Sequence, residues 1–307
     1  MITRTRARGP KYAWAQAAVF VGTLTFAALS VTSGQQSGFT QEVFTRGQNI
    51  APAFEGWEAN PDGTFNMVFG YFNRNWEEQP DIPIGPDNNI EPGGPDQGQP
   101  THFFPRRNKI VFRVPVPKDF GNKDLVWTLT VHGKTEKAYG TLKPDYVLEK
   151  QILQTNASMQ NVQEMEANKE PVVRVEGDTR RTVKVGEPLT LTAFVSDDGL
   201  LKPKAVSPGG PGSDLTALGL RVAWFVYRGA GKVAFDPEQF KVYQDKKPGG
   251  NSPFAPGWAP PPIPADGKFP VKVTFGAPGI YVVRVMAHDG GLQATKDVTV
   301  TVNAPAR

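Results

Sequence analysis

The stretch PGIYVVRVMAHDG, residues 278–290, determines the fold expected for the C-terminal half of this 307-residue chain. Its apolar residues alternate from Tyr281 through Val283 to Val285, which is the two-residue period of a strand with one buried face. The Pro-Gly pair before these residues and the Asp-Gly pair after them form turns. The stretch therefore predicts a β-strand that begins at a proline–glycine corner.

Further short segments with the same alternation lie on both sides of that strand. Gly, Pro and Asp turns separate them, and Trp224 lies in one segment with Val222 and Val226 on its own face. Seven short alternating strands at regular spacing are typical of an antiparallel β-sandwich. The seven segments are 172–177, 182–186, 189–197, 220–229, 269–275, 280–290 and 294–303.

The pattern around Tyr281 resembles the tyrosine corner of immunoglobulin-like domains, with Val283 where a disulfide cysteine would otherwise stand. With the sequence AHDGG (287–291) before the last strand, residues 171–303 resemble a bacterial immunoglobulin-like or PKD-like domain. The resemblance covers under half of the chain. It implies adhesion or docking and no defined chemistry.

A separate β-rich domain is expected at residues 57–142. Aromatic-rich alternation runs through TFNMVFGYFNRN (64–75), and one-faced alternation follows in NKIVFRVPVP (108–117) and LVWTLTVHG (125–133). The intervening stretch 81–107 contains too many Pro and Gly residues for regular structure. A small β domain with one long irregular loop is therefore predicted.

This first domain resembles a group of exported bacterial proteins of unknown function. The runs that carry the resemblance are NPDGTFNMVFGYFNRNWEE (60–78), IPIGPDNNIEPGGPDQGQPTHFFPRR (82–107) and LVWTLTVHGKT (125–135). The resemblance implies a bacterial, extracytoplasmic protein. It supplies no catalytic residue.

The first 34 residues are expected to be a membrane anchor or a signal peptide. Residues 13–33 carry no charge, and a helix of that length reaches about 30 Å, enough to cross a bilayer core. Cationic residues precede this run, which orients the N-terminus inside. Small residues at Ala28 and Ser30 leave cleavage open, and we favour a retained anchor. Its membrane residues are Trp14, Phe20, Leu24, Phe26 and Leu29.

Two connecting segments complete the expected organisation. Residues 35–56 are a polar tether, and residues 143–170 are rich in helix formers, which predicts a short helix and a linker. The fold class is therefore mainly β. An N-terminal transmembrane helix or signal is followed by the small β-rich domain and by an immunoglobulin-like sandwich at 171–303.

Composition argues against several classes of function. The chain has no cysteine, which removes disulfides, thiol nucleophiles, Cys-ligated zinc and iron–sulfur clusters. Four cations of the leader account for the net charge of +4, since the rest of the chain has equal numbers of basic and acidic residues. A neutral body argues against nucleic-acid binding.

Motifs of catalysis are also missing from the sequence. It contains no nucleophile elbow, His-Glu-x-x-His zinc motif, phosphate-binding loop or dinucleotide fingerprint. Glu77, Glu78 and Asp81 beside Trp76 are the only starting point for a hydrolase, and a solvated turn explains them better. We therefore predict no enzyme activity, no catalytic residue and no cofactor.

One end of the expected sandwich carries three carboxylates. Asp197 and Asp198 follow one strand and Asp289 follows another, and the loops after these strands lie at the same end of such a fold. Carboxylate oxygens are ligands for Ca²⁺, but Asp-Gly pairs are also ordinary turn residues. We predict no metal site, and these residues are only weak calcium candidates.

Three long Pro- and Gly-rich loops are the expected partner-binding surfaces, because such loops are uncommon unless functional or disordered. Loop 245–267 offers Phe254 and Trp258 as docking anchors, although Trp258 could equally fold back onto its own sandwich. Loops 202–219 and 81–107 are the other two. The anchors expected in loop 81–107 are Phe103, Phe104, Arg106 and Arg107.

These features predict a non-enzymatic accessory or structural subunit in a bacterial inner membrane, with its bulk in the periplasm. Its partner would be a multi-subunit membrane complex of energy-transducing, photosynthetic or secretion type. The alternative is a cleaved, secreted or cell-surface module that recognises polysaccharide or protein. In that case Trp57, Trp76 or Trp258 would be the sugar-stacking platforms.

Overall fold

The structure is a computed structural model that describes residues 44–154, 162–201, 219–239 and 264–305. The strands of these residues form four β-sheets. The predicted mainly β fold class is confirmed. The leader, most of the loop at 202–219, and Phe254 and Trp258 lie outside the described residues.

The first six strands form two three-stranded sheets, in the orders β1-β2-β4 and β3-β5-β6, which we call the first sandwich. All their pairings are antiparallel. The first strand begins inside the stretch 35–56 that was expected to be a tether, because Ile50 already pairs with Asn73. The strands are β1 (Ile50–Ala59), β2 (Phe65–Asn73), β3 (Asn88–Glu91), β4 (Arg106–Val116), β5 (Leu125–Val131) and β6 (Lys134–Gly140).

An aromatic cluster fills the first sandwich. Trp127 of β5 is fully buried and lies edge-to-face against Phe112 of β4, with ring centroids 4.9 Å apart. Its indole nitrogen donates to the Asn88 Oδ1 at 3.0 Å, so the one polar atom of the ring is satisfied inside the core. The alternation predicted for β5 is confirmed, because its residues are alternately buried and half-buried.

The last eight strands form two four-stranded sheets, in the orders β10-β13-β14-β8 and β11-β12-β9-β7, which we call the second sandwich. Only the β14–β8 pair is parallel. The short strand β11 was not predicted, because its four residues are too few for a clear alternation. The strands are β7 (Val172–Val175), β8 (Arg180–Lys184), β9 (Leu189–Ser196), β10 (Arg221–Arg228), β11 (Val233–Asp236), β12 (Lys268–Phe275), β13 (Gly279–His288) and β14 (Gln293–Asn303).

The second sandwich has an immunoglobulin-like fold. Its eight strands follow the seven-strand arrangement of that fold, in which the first strand is here divided into β7 in one sheet and β8 in the other. The predicted tyrosine corner is confirmed, since the Tyr281 hydroxyl donates to the Ala277 carbonyl at 3.0 Å and to the Ala230 carbonyl at 2.7 Å. Trp224 and Val283 are fully buried between the sheets.

Short helical segments connect the two sandwiches. They are a 3₁₀ turn (Pro144–Tyr146), α1 (Lys150–Gln154) and α2 (Val162–Ala167). Asn168, just after α2, donates to Gln154 Oε1 at 3.0 Å and to Asp289 Oδ2 at 2.8 Å, which fixes the connection to the second sandwich. None of the helices in the described ranges is long and apolar enough to cross a membrane.

Strand β10 belongs to both cores, and this joins the two sandwiches. The six central residues of this strand, 222–227, are all buried. Val222, Trp224 and Val226 face the core of the second sandwich, whereas the residues between them pack into the core of the first. The described residues accordingly belong to one compact unit, 43–307.

Candidate functional site

The segment 81–107, which we call loop 81–107, was predicted to lack regular structure, but it contains β3 (Asn88–Glu91) and the first residues of β4. It fastens the first sandwich to β10 of the second. Arg228 at the end of β10 donates to both carboxylate oxygens of Asp96, at 2.8 and 3.0 Å, and to the Gln99 carbonyl at 2.8 Å. The Tyr227 hydroxyl donates to the Gly98 carbonyl at 2.6 Å, and burial raises the pKa of Tyr227 to about 12, so the donor stays protonated. The loop expected to bind a partner therefore binds β10 of its own chain.

Main-chain groups of the loop also bond to β10. The amides of Thr101 and His102 both donate to the Tyr227 carbonyl, at 3.1 and 3.3 Å. The Thr101 hydroxyl accepts from the Gly229 amide at 3.0 Å. Backbone groups at the end of β10 that would otherwise be unpaired are thus satisfied by the loop.

Arg284 of β13 completes the junction from the second sandwich. Its guanidinium lies over the Tyr227 ring, 3.4 Å from the centroid. It also donates to both oxygens of Asp297, at 2.7 and 2.9 Å, and to the Val111 carbonyl of β4 at 3.3 Å. A charge that is only 11% exposed therefore has its counter-ion and reaches into the first sandwich.

A cleft of about 570 Å³ opens where loop 81–107 meets β10 and β11. The loop side of the cleft contributes Asp81 and His102, and the second sandwich contributes Val226 and Phe235. Ligand sites of this volume, with apolar walls and a few polar groups, often lie between domains. This cleft is therefore the first place to look for chemistry.

The polar groups of the cleft form a bridge across the junction. His102 Nδ1 lies 2.7 Å from Asp81 Oδ1, and its Nε2 lies 3.1 Å from Gln79 Oε1. The other Asp81 oxygen accepts from the Gly231 amide of the second sandwich at 3.3 Å. The described residues that line the cleft include no Ser, Thr or Cys, so the His–Asp pair has no hydroxyl or thiol nucleophile to activate.

The two phenylalanines expected as docking anchors in loop 81–107 are core residues. Phe103 is fully buried and packs edge-to-face on Tyr71 at 5.0 Å between centroids. Phe104 is 4% exposed and packs edge-to-face on Phe225 of β10 at 5.7 Å. Both are therefore corrected from partner-binding residues to packing residues, because their apolar rings are already removed from water by this chain.

The two arginines expected beside them are also bound internally. The Arg106 guanidinium lies 4.7 Å from the ring centroid of Phe72 and 4.2 Å from that of Trp76. Arg107 forms an ion pair with Glu55 at 2.7 Å. The planar cation of Arg106 and the charge of Arg107 stabilise the first sandwich rather than an exposed docking surface.

Neither Trp57 nor Trp76, the two residues of the first sandwich considered for sugar stacking, is an exposed platform. Trp76 is 8% exposed. Trp57 is half-buried, lies edge-to-face against Phe65, and donates its indole N–H to the Lys143 carbonyl at 2.8 Å. The sugar-stacking role considered for these two residues is therefore not supported by their positions.

The weak calcium candidates form turn hydrogen bonds. Asp197 and Asp198 accept from the Gly199 and Leu200 amides at 2.9 and 3.0 Å. Asp289 is fully buried, and two backbone amides donate to one of its oxygens at 2.6 Å. Burial raises the pKa of Asp289. Among the described residues, no group of three or more His, Asp or Glu side chains is placed to hold a metal ion.

The residues that sequence reasoning missed are the junction residues of β10. Ala223, Phe225 and Tyr227 alternate with the predicted core residues of this strand and are themselves buried. The signal was the run VAWFVY (222–227), which contains no charged residue. A continuous apolar strand of this kind indicates burial on both faces.

Comparisons with known proteins add the following. No family model matches this chain. No curated protein matches it either. A complex of titin M10 with an obscurin-like 1 immunoglobulin domain aligns at 18% identity over 46% of this chain and 99% of that one, with a TM-score of 0.23.

Two further solved structures align over more of the chain. The S-layer protein SbsC aligns at 11% identity over 85% of this chain and 28% of that one, with a TM-score of 0.23. Immunoglobulin domains 1–4 of sidekick-1 align at 10% identity over 82% and 47%, with a TM-score of 0.22. The immunoglobulin-like assignment rests on the strand order and the tyrosine corner.

Proposed function

We propose that this protein is a non-enzymatic accessory or structural subunit, anchored in a bacterial inner membrane with its bulk in the periplasm. It docks on a larger membrane complex of energy-transducing, photosynthetic or secretion type. The observation that carries this proposal is the junction, in which β10 contributes its two faces to two different cores.

The junction supports a structural role because domains of one chain usually move relative to each other unless their interface is large and apolar. Here the interface includes buried Phe225 and Phe104, and the polar contacts of Arg228 and Arg284 surround them. Two sandwiches held in one arrangement present their outer surfaces at a fixed spacing. That property suits a subunit that braces or spaces an assembly.

The cleft supports the same conclusion. Its titratable pair, Asp81 and His102, bonds to groups on both sides of the junction. Its described lining offers no adjacent hydroxyl or thiol. Polar chemistry in this cleft therefore stabilises the joint between the sandwiches, and we propose no reaction for it.

The start of the described chain is bonded firmly to the first sandwich, as expected of a subunit with a fixed shape. The Phe44 carbonyl accepts from the Trp76 amide at 3.0 Å, and the Thr45 carbonyl accepts from the amides of Glu77 and Glu78. The first described residues are thus bonded to the turn after β2.

The test is to recover the protein from native membranes after cross-linking and mild detergent extraction, and to identify its N-terminal peptide, intact mass and cross-linked neighbours. We expect a chain that retains the leader, with a mass near 33.5 kDa, cross-linked to subunits of one membrane complex. A retained chain that migrates alone and has no reproducible cross-linked neighbour contradicts the proposal.

The alternative function is a cleaved binding module that recognises polysaccharide or protein. One observation favours it, namely the groove around the exposed Tyr139 described below. A mature N-terminus near residue 35 and recovery from the exported fraction would support that alternative over an anchored subunit.

A further inference from the structure

The outer face of the β3-β5-β6 sheet forms a shallow groove of about 570 Å³. This face points away from the core of the first sandwich, because Trp127 and Leu129 of β5 point into that core. The groove is distinct from the junction cleft and shares no lining residue with it. Its side chains with polar or aromatic groups are Glu91, Asp124, Thr128, Lys137 and Tyr139.

The strand register places these side chains in two rows across the sheet. Glu91 of β3 pairs with Val126 of β5, which pairs with Tyr139 of β6. In the next row on the same face, Thr128 pairs with Lys137. Neighbouring strands are about 4.8 Å apart, so the row from Glu91 to Tyr139 extends roughly 10 Å across the sheet.

Tyr139 is the most exposed aromatic residue among the large apolar side chains of the described chain, at 56%. Its ring lies at the edge strand, beside the half-buried Val126. An exposed aromatic ring with a hydroxyl combines an apolar face with a polar tip, which is typical of residues that bind ligands at a wet surface.

The polar side chains of the groove are not paired within the described part of the chain. Among the described residues, the side chains of Glu91, Asp124 and Lys137 form no hydrogen bond or ion pair with another residue. The outer face of the other sheet differs, since there Arg113 forms two hydrogen bonds with Glu58, at 2.8 and 2.9 Å. The groove therefore retains donors and acceptors for a ligand.

The wall of the groove is held in place by the rest of the fold. The turn at 91–94 is bound by the side-chain Nε2 of Gln97, which lies 3.1, 2.9 and 3.0 Å from the carbonyl oxygens of Ile90, Pro92 and Gly94. Asp96, next to Gln97, bonds to Arg228 of the second sandwich. A groove whose wall is fixed in advance loses little entropy when a ligand binds.

We propose that this groove binds a neutral polysaccharide chain. The charges of Glu91 and Asp124 oppose that of Lys137, so neither a strongly acidic nor a strongly basic ligand complements the whole groove. Sugar hydroxyls both donate and accept, so one neutral ligand can hydrogen-bond to the carboxylates, the ammonium group and the Thr128 hydroxyl together. The apolar face of a sugar ring packs on Tyr139.

This inference does not depend on whether the leader is retained, because the groove lies entirely within the first sandwich. A subunit with such a groove would hold the assembly against a glycan layer. A cleaved module with the same groove would bind the glycan by itself.

The test uses the full chain and two probes, cellotetraose and tetra-N-acetylchitotetraose, titrated by calorimetry. We expect at least one probe to bind, and Tyr139→Ala to weaken it by about tenfold or more, as the loss of an aromatic anchor does. Tyr139→Trp restores the ring and is expected to bind within about threefold of the natural protein.

The matched control is Tyr146→Ala. Tyr146 is 47% exposed, similar to Tyr139, and does not line the groove. Binding to neither probe, or equal loss in the two alanine variants, would overturn the proposal. Thermal unfolding of each variant shows whether it is folded, and cross-linking to a membrane complex is measured separately, so failure of either proposal is recognised by itself.

Discussion

Arg228 and Asp96 form a two-bond ion pair that joins the two sandwiches, with nitrogen–oxygen distances of 2.8 and 3.0 Å. The two residues are 132 positions apart in the sequence. It marks the polar edge of a junction whose centre is apolar. The Arg228 hydrogen bond lowers the pKa of Asp96, against a smaller opposing effect of burial.

The first prediction concerns the strength of this pair. The Asp96 side chain is 52% exposed, so solvent screens the attraction, and we expect a coupling energy of about 1 kcal/mol or less. The measurement is a double-mutant cycle with Asp96→Ala and Arg228→Ala, using chemical unfolding at pH 7.

The same cycle has a defined dependence on pH. Because the folded pKa of Asp96 lies below its ordinary value of 3.8, the stabilisation is complete well above that value and is lost as the pH falls through the folded pKa. The coupling energy is therefore expected to be smaller at pH 3 than at pH 7. A larger coupling at pH 3 contradicts this account.

The second prediction concerns the apolar centre of the junction. Phe225 is fully buried and packs on Phe104, so Phe225→Ala is expected to cost about 3–5 kcal/mol in the free energy of unfolding. The control is Ile280→Ala in the adjacent β13, since Ile280 is 69% exposed and its truncation should cost about 0.5 kcal/mol or less.

The junction should also make the two sandwiches of the natural protein unfold together. Because β10 contributes to both cores, we expect one cooperative transition for the two sandwiches, followed by calorimetry. Phe225→Ala is expected to lower that transition and to separate it into two. Two well-separated transitions in the natural protein would show that the sandwiches unfold independently.

The second sandwich could be predicted from the sequence because its signals are local. Tyr281 and its bonded carbonyl of Ala277 are only four residues apart, and the alternation around Trp224 repeats within one strand. Such patterns lie in consecutive residues and can be recognised without knowledge of the rest of the fold.

The loop at 81–107 could not be predicted in the same way. Phe103 and Phe104 stand among Pro and Gly residues, and a sequence gives no indication of whether such rings face water or another strand. Phe103 packs on Tyr71 of β2, whereas Phe104 packs on Phe225 of β10, which follows more than 100 residues later. The apolar run at 222–227 was the available clue, because it indicates that β10 has a second neighbour.

The third prediction concerns the tyrosine corner. Tyr281→Phe removes the hydroxyl that donates to the carbonyls of Ala277 and Ala230, and we expect a loss of about 1–3 kcal/mol in the free energy of unfolding. Equilibrium urea unfolding measures it. A loss below about 0.3 kcal/mol would mean that water replaces the hydroxyl at no cost.

Gly229 makes room for that ring and is the basis of the fourth prediction. Its φ is +123°, and a Cβ there would lie 2.4 Å from the Tyr281 ring. Gly229→Ala is therefore expected to destabilise the protein by more than the usual cost of backbone strain, about 1–3 kcal/mol. Gly199→Ala is the control, because Gly199 also has a positive φ, +70°, but has no atom within 4 Å of an added Cβ.

The last prediction concerns His288 at the end of β13. Burial, together with the charge of Arg221, lowers the pKa of His288 to about 3. Its Nδ1 accepts from the Gly290 amide at 2.7 Å, so that nitrogen is unprotonated in the folded protein. Since His288 in the unfolded chain takes up a proton near pH 6.5, stability should fall as the pH is lowered from about 6.5 toward 3, by at most about 1.4 kcal/mol per pH unit.

The variant His288→Gln isolates this effect, because a glutamine oxygen can still accept a hydrogen bond but does not titrate. The nearby Asp289, whose pKa is raised by burial, acts with the opposite sign and is present in both proteins. We therefore expect the natural protein to lose stability more steeply than the variant between pH 6.5 and 4, measured by urea unfolding at intervals of half a pH unit. Parallel curves over that range would show that His288 can take up its proton without opening the turn at Gly290.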